Sequence, residues 1–252
     1  MRETDRLFAG SIPALYDRYL GPLIFAPYAR DLAARLAALG PGRVLETAAG
    51  TGIATRALVD ALPPTTAIVA TDLNQPMLDF AAGLTHAANV TWRQADALQL
   101  PFAAEAFDAV ACQFGAMFFP DRVAGYREAR RVLRPGGRLV LNVWDRIEHN
   151  EMTYRVSEAV AAMFPNDPPR FLARLPHGYH VTDTIRAELQ AAGFAEVAIE
   201  TLALRSQAPS PRHPAIGFCQ GSPLRAEIEA RGPGRLDDAT DAAARAVAAH
   251  FG

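Results

Sequence analysis

The run Arg43-Val44-Leu45-Glu46-Thr47-Ala48-Ala49-Gly50-Thr51-Gly52-Ile53-Ala54-Thr55 constrains this chain more than any other. It reads as a short apolar strand ending in an acid, a loop of small residues, and a helix start. Gly50 and Gly52 have no Cβ, so the loop backbone can turn tightly and lie close to a ligand. A strand–loop–helix unit of this kind forms the nucleotide-binding corner of a doubly wound α/β sheet. A buried carboxylate at Glu46 suits a ligand carrying an ammonium group and would repel a pyrophosphate.

The same rhythm continues along the chain. Residues 13–39 have helical periodicity, with Leu32, Leu36 and Leu39 on one face, and Gly40-Pro41-Gly42 ends the helix. Val44–Leu45 opens the first strand and Ile53–Leu62 is the following helix. Ala67–Asp72 is a second apolar strand, also finishing in an acid. Pro76–Leu84 reads as helix with Asn74 as its N-cap. Val90–Gln94 and Phe107–Gln113 are further strands, Arg122–Leu133 is helical, residues 134–137 are a turn, and Arg138–Trp144 is a fifth strand. Alternating strands and helices with short connections predict an α/β fold, a doubly wound, mostly parallel sheet covered by helices on both faces. Its ligand is expected at the carboxyl ends of the strands.

After residue 145 the pattern changes to helix-like segments broken by Pro165, Pro168, Pro169 and Pro176, with Tyr154, Phe164, Phe171 and Tyr179 among them. Asp183–Ala192 is then predicted as helix, Glu196–Leu204 as strand, and the tail from Pro209 as helical. The expected organisation is a helical lid over 1–40, a cofactor-binding core over 41–145, a helical cap over 146–181, a return of core helix and strand over 182–208, and a helical tail over 209–252.

Composition narrows the function classes. The net charge is −2, from 25 Lys+Arg against 27 Asp+Glu over 252 residues, so no bulk attraction to nucleic acid or anionic membrane is implied. Two cysteines, Cys112 and Cys219, cannot build a framework of several disulfides. Met1–Arg6 lacks the apolar run of a signal peptide, and no stretch has the length and apolarity of a membrane span. A cytoplasmic location is the expectation. No cluster has metal-ligand spacing, and the oligomeric state is not readable.

Taken in register, the motifs resemble the class I S-adenosylmethionine-dependent methyltransferases, in the small-molecule branch related to the ubiquinone/menaquinone-biosynthesis methylases. Four marks carry the resemblance, over roughly residues 40–145 and 183–204. The first is Glu46-Thr-Ala-Ala-Gly50-Thr-Gly52. The second is Asp72 at the end of the next strand. The third is Gln94-Ala95-Asp96-Ala97-Leu98, followed by Leu100-Pro101-Phe102. The fourth is Phe107-Asp108-Ala109-Val110, with Glu128-Ala-Arg-Arg-Val-Leu-Arg-Pro-Gly-Gly137 behind it. The resemblance implies a Rossmann-like core with S-adenosylmethionine as cofactor, S-adenosylhomocysteine as product and a small molecule as methyl acceptor.

It also implies a task for each position. The loop residues Thr47, Ala48, Gly50, Thr51 and Gly52 would lie along the cofactor's methionine part, and Glu46 would draw its ammonium. Asp72 would accept from the ribose hydroxyls, while Leu73 and Met77 would supply apolar surface to the adenine. Asp96 would accept from the adenine amino group, with Ala97 and Leu98 beside it. Gln113 and Phe114 would lie near the sulfonium, and Tyr16 would act as a lid residue with cation–π attraction. Simpler roles stand beside these. Asp72 could cap the next helix, Asp96 could close a turn, and Met77, Phe114 and Tyr16 suit a core equally well. Asp108, early in its strand, is expected to make a structural hydrogen bond.

Two departures from the family pattern stand out. Ala48 occupies the position of the first loop glycine, which would cost on the order of 1 kcal/mol if φ there is positive. No strand is evident after residue 204 to complete the sheet edge. Methyl transfer needs mainly alignment and exclusion of water, so no catalytic residue is assigned. A proton-accepting base, where an acceptor needs one, would come from His149, His177 or His180. Two other readings remain: an NAD(P)-dependent oxidoreductase, whose Gly-x-Gly-x-x-Gly pattern breaks at Thr55, and a non-catalytic S-adenosylmethionine-binding protein.

Overall fold

A computed structural model describes Asp5, Phe8 and residues 10–252. Apart from Asp5, the Met1–Arg6 run read above lies outside the described residues. The elements, in order, are α1 (Ile12–Leu15), a π-helical stretch (Tyr16–Phe25), α2 (Ala26–Ala37), β1 (Arg43–Glu46), α3 (Ile53–Ala61), β2 (Ala67–Asp72), α4 (Gln75–Leu84), β3 (Val90–Gln94) and β4 (Phe107–Gln113). They continue as α5 (Arg122–Val132), β5 (Leu133–Asn142), α6 (Glu151–Ala162), α7 (Phe171–Arg174), α8 (Thr182–Ala191), α9 (Arg212–Gln220), α10 (Leu224–Arg231) and α11 (Leu236–Phe251). The wide π turns enclose Pro22, whose ring nitrogen cannot donate within a regular helix. The chain divides into two compact units.

One unit holds residues 25–143 and 180–204. Its five strands run parallel in the order β3-β2-β1-β4-β5. Side chains alternate along each strand, and the two faces of the sheet have separate cores. Val44, Ile68, Ala109 and Ala111 pack with Leu32 and Leu36 of α2 and Leu58 of α3. Leu45, Val69, Val110 and Phe107 pack with Ala129 and Val132 of α5. The strand order reverses beside β1, which pairs with β2 on one side and β4 on the other, and such a switch point opens a crevice at the strands' carboxyl ends.

Two elements differ from the sequence prediction. Strand β5 begins at Leu133, inside the predicted helix, and ends at Asn142. Its pairing with β4 jumps from Phe107–Leu133 to Ala109–Arg138, so residues 134–137 form an outward excursion within the strand, with Gly136 at φ +79°. Residues 196–204, predicted as a strand, form none. Their carbonyls are taken by side chains instead: Arg186 donates to Val197, and the Tyr28 hydroxyl donates to Leu202 over 3.4 Å. Arg35 pairs with Glu200 at 2.8 Å. An alternating pattern becomes a strand only where a neighbour offers a ladder, and among the described residues no strand follows Asn142.

The other unit holds residues up to 24 together with 144–179 and 205–252. It is helical, with α11 packed on α6 and α9. Leu20 lies against Gly217, where a Cβ would meet its Cδ2 at 2.6 Å. Arg174 of α7 donates to both oxygens of the buried Asp5 (2.9 and 2.6 Å) and to Glu227 (3.1 Å). Glu227 in turn accepts the Arg170 and Phe171 backbone N–H groups at the start of α7, at 2.7 and 3.0 Å. Among the described residues no helix is long and apolar enough to cross a membrane.

Candidate functional site

Glu46 closes β1 on the face of the sheet that carries Val44, so it points to the same side as α3. Thr55 lies one turn before Leu58 on α3, and its hydroxyl donates to Glu46 Oε2 over 2.6 Å. Both residues are buried. Burial is the main cause that pushes the Glu46 carboxyl up to about 8, with the neighbouring Asp72 charge adding to it. The Thr55 hydroxyl and Arg56 pull the other way. Near neutral pH Glu46 therefore carries a proton.

Asp72 closes β2 and ties two loops together. Its Oδ2 accepts the Gly50 N–H at 2.8 Å, and its Oδ1 accepts the Asn74 backbone N–H at 2.8 Å and the Asn74 side-chain amide at 3.3 Å. Burial raises this carboxyl too, while these hydrogen bonds lower it. Asn74 does occupy the N-cap of α4, but its side chain makes no capping bond and donates to Asp72 instead.

Four N–H groups of the loop after β1 are spent within the protein. The Thr47 N–H donates to Ala111, Ala49 to Thr71, Gly50 to Asp72 and Gly52 to Ala49. Donors that are spent internally cannot form the anion nest on which a pyrophosphate rests. Ala48, Gly50 and Gly52 have φ of +55°, +57° and +79°. The loop therefore does not adopt an ordinary backbone at Ala48, and the strain expected of a non-glycine residue is present there. Gly52 also lies under Trp92, whose Cη2 would be 3.0 Å from an added Cβ. The Thr51 hydroxyl is buried with no hydrogen-bond partner.

Beyond β2, Leu73 is exposed and Met77 is buried, its Cε 3.6 Å from where a Cβ on Gly50 would lie. The turn after β3 is held to β2 by the Ala95 N–H, which donates to Asp72 O at 3.0 Å. In that turn Asp96 Oδ1 accepts the Leu98 N–H at 2.9 Å, and Ala97 is half-buried between them. At the end of β4, Gln113 Nε2 donates to Phe25 O at 2.9 Å while its Oε1 is buried without a partner. Phe114 has φ +49° and stands between the rings of Phe25 and Tyr28, at 5.7 and 5.6 Å. Its N–H donates to the Asn142 side-chain oxygen at 3.1 Å.

Glu46, Thr47, Ala48, Gly50, Thr51, Gly52, Asp72, Leu73, Met77, Asp96, Ala97, Leu98, Gln113 and Phe114 thus follow or end β1 to β4 within one unit. Tyr16 belongs to the other unit, where its ring meets Phe8 edge-on at 6.0 Å. Asp108 makes the structural bonds expected of it, accepting the Gly42 and Arg43 N–H groups at 2.6 and 2.8 Å and pairing with Arg134 at 2.6 Å. His149 is exposed, with Nδ1 2.8 Å from Asp145 Oδ2, and the buried His177 has Nδ1 2.8 Å from Asp145 O. Both lie in the helical unit, and His180 lies in the sheet unit. Thr55, Gly115 and Asn142 were not among the sequence candidates. Thr55 entered only as the residue that breaks a dinucleotide motif, and Asn142 carries no sequence signal.

A parallel sheet with carboxylates at two strand ends around its switch point defines a doubly wound, Rossmann-like α/β protein. The family model described as a methyltransferase domain matches residues 45–141. The demethylmenaquinone methyltransferase of Deinococcus radiodurans is 40% identical over 141 residues, which cover 54% of this chain and 58% of that protein. The demethylmenaquinone methyltransferase of Corynebacterium kroppenstedtii is 34% identical over 171 residues, 62% of this chain and 70% of that protein. The YcgJ protein of Bacillus subtilis, 22% identical, shares the fold with a TM-score of 0.56 over 85% of this chain and 87% of its own. The chain belongs to the S-adenosylmethionine-dependent methyltransferases, in the family of the ubiquinone/menaquinone-biosynthesis methylases.

Proposed function

We propose that this protein transfers a methyl group from S-adenosylmethionine to a small-molecule acceptor. The observation that carries the reading is the buried carboxyl of Glu46 at the switch point, beside a loop in which the Thr47, Ala49, Gly50 and Gly52 N–H groups are already spent. A site built this way favours a ligand bearing an ammonium over one bearing a pyrophosphate. The partnerless Thr51 hydroxyl and Gln113 Oε1 add two polar atoms that a polar ligand would satisfy.

On this reading Glu46 takes the cofactor's ammonium, and the loop Thr47–Gly52 borders its amino-acid part. Asp72 takes the ribose hydroxyls; its Oδ2 accepts one bond within the protein, from the Gly50 N–H, and has further acceptor capacity. Leu73 and Met77 face the adenine with apolar surface, and Asp96, Ala97 and Leu98 border its edge. Gln113 and Phe114 belong to the transfer end. The cofactor role falls to 41–145 with 182–208, and acceptor choice to 1–40 and 146–181. When bound, S-adenosylmethionine supplies a methyl group on a positively charged sulfur, an electrophile that needs alignment more than acid–base help. The chain's own contribution is to hold that group, exclude water and present the acceptor.

Calorimetric titration with S-adenosylmethionine, S-adenosylhomocysteine and NADH tests the cofactor. Micromolar binding of the two sulfur compounds, lost in Asp72→Ala and absent for NADH, is expected. Binding of NADH alone would overturn the reading. The names of the relatives make the reduced, quinol form of a demethylmenaquinone-type compound the first acceptor to try, with methylated product read by mass spectrometry.

A further inference from the structure

We propose that Glu46 and Thr55 form a proton-linked subsite for the cofactor's amino-acid end: Glu46 holds a proton until a ligand ammonium arrives, and Thr55 governs how readily that proton leaves. This rests on the cofactor reading above and deepens it.

The geometry is that of a sealed carboxyl to which, among the described residues, no cation is bonded. Glu46 is 1% exposed, and the hydrogen bond its carboxyl accepts comes from the Thr55 hydroxyl, itself 0% exposed, at 2.6 Å. Among the described residues, the charged and titratable groups around it come from three elements. Asp72 of β2 makes a second negative charge costlier, and Arg56 of α3 makes it cheaper. Arg56 Nη1 is nevertheless turned to the Thr51 carbonyl, to which it donates over 2.8 Å. Cys112 of β4 is a buried thiol whose ionisation is suppressed by that burial, so it supplies no charge. With no cation bonded to it among the described residues, burial favours the protonated carboxyl at neutral pH.

An incoming ammonium changes that balance. The ligand enters with its own proton, the Glu46 proton passes to solvent, and a carboxylate–ammonium pair remains. Binding then releases one proton, and affinity rises with pH until Glu46 is already ionised in the free protein. The Thr55 hydroxyl donates to the ionised oxygen and so favours the charged form. Thr55 acts through Glu46 and is a positioning residue.

The experiment is calorimetry at about pH 6 to 7, where the ligand amine keeps its proton. Buffers of differing ionisation enthalpy are compared, with two probes. S-adenosylhomocysteine carries the amino acid; 5′-methylthioadenosine has the same nucleoside without it. For S-adenosylhomocysteine we expect release of up to about one proton and an affinity gain approaching tenfold per pH unit. For 5′-methylthioadenosine neither is expected. Thr55→Val should weaken S-adenosylhomocysteine about tenfold at pH 7 and move the rise to higher pH, and Thr55→Ser should restore both. Unchanged 5′-methylthioadenosine binding in Thr55→Val reports an intact fold. If both probes bind wild type and no proton is exchanged, or if Thr55→Val keeps the wild-type pH profile, the inference falls and the cofactor reading stands. If neither probe binds, both fall.

Discussion

Ala48 and Gly115 stand in contact across the switch point: a Cβ on Gly115 would lie 2.4 Å from the Ala48 Cβ and 3.1 Å from Cys112 Sγ. The loops after β1 and β4 therefore touch where residue 115 has no side chain. Gly115→Ala forces them apart and should cost about 1–3 kcal/mol. Urea denaturation measures this, and S-adenosylhomocysteine affinity should fall with it. An unchanged midpoint would show that the two loops separate freely.

Ala48 itself carries strain at φ +55°. A left-handed conformation costs an alanine roughly 1–2 kcal/mol, while glycine adds unfolded-state entropy of about 0.5–1 kcal/mol. Ala48→Gly should therefore raise stability by up to about 1 kcal/mol, a rise of a few degrees or less in Tm. A clear loss of stability would mean that the methyl group's packing outweighs the relief.

Glu46 links stability to pH. Its carboxyl titrates at about 8 in the folded protein, far above the ordinary glutamate value of 4.5. Between these values the folded state holds a proton that the unfolded state has lost. Stability is thus fully present below about pH 4.5, falls as pH rises, and levels off above pH 8. Glu46→Gln should flatten that part of the profile and be the more stable form above pH 8. Denaturation midpoints across the range check the sign, since a wild-type profile that rises over this window contradicts it.

Asp108 supports the fold away from the carboxyl ends of the strands. Asp108→Ala strands the Gly42 and Arg43 N–H groups and the Arg134 guanidinium. A loss of about 2–3 kcal/mol is expected, with S-adenosylhomocysteine affinity within about twofold of wild type. A selective loss of affinity at unchanged stability would place Asp108 in the site.

The periodicities and turn residues are local properties, and they determined the alternation of strands and helices. They also put Glu46 and Asp72 at strand ends, because an acid after an apolar run is legible without any partner. The pattern at 196–204 was equally legible and misled, because a strand requires a neighbour that only the folded chain supplies or withholds. The excursion at 134–137 was hidden for a similar reason. Gly136 and Gly137 signal a turn, but only the pairing with β4 shows that the strand resumes across it. Tertiary structure alone decided which N–H groups of the Gly50 loop remain available, and it turned Asp72 inward to hold that loop. It also brought Thr55 onto Glu46, nine positions away in sequence. A carboxyl's charge state depends on what seals it from water, and that enclosure is assembled from β1, β2, β4 and α3 together.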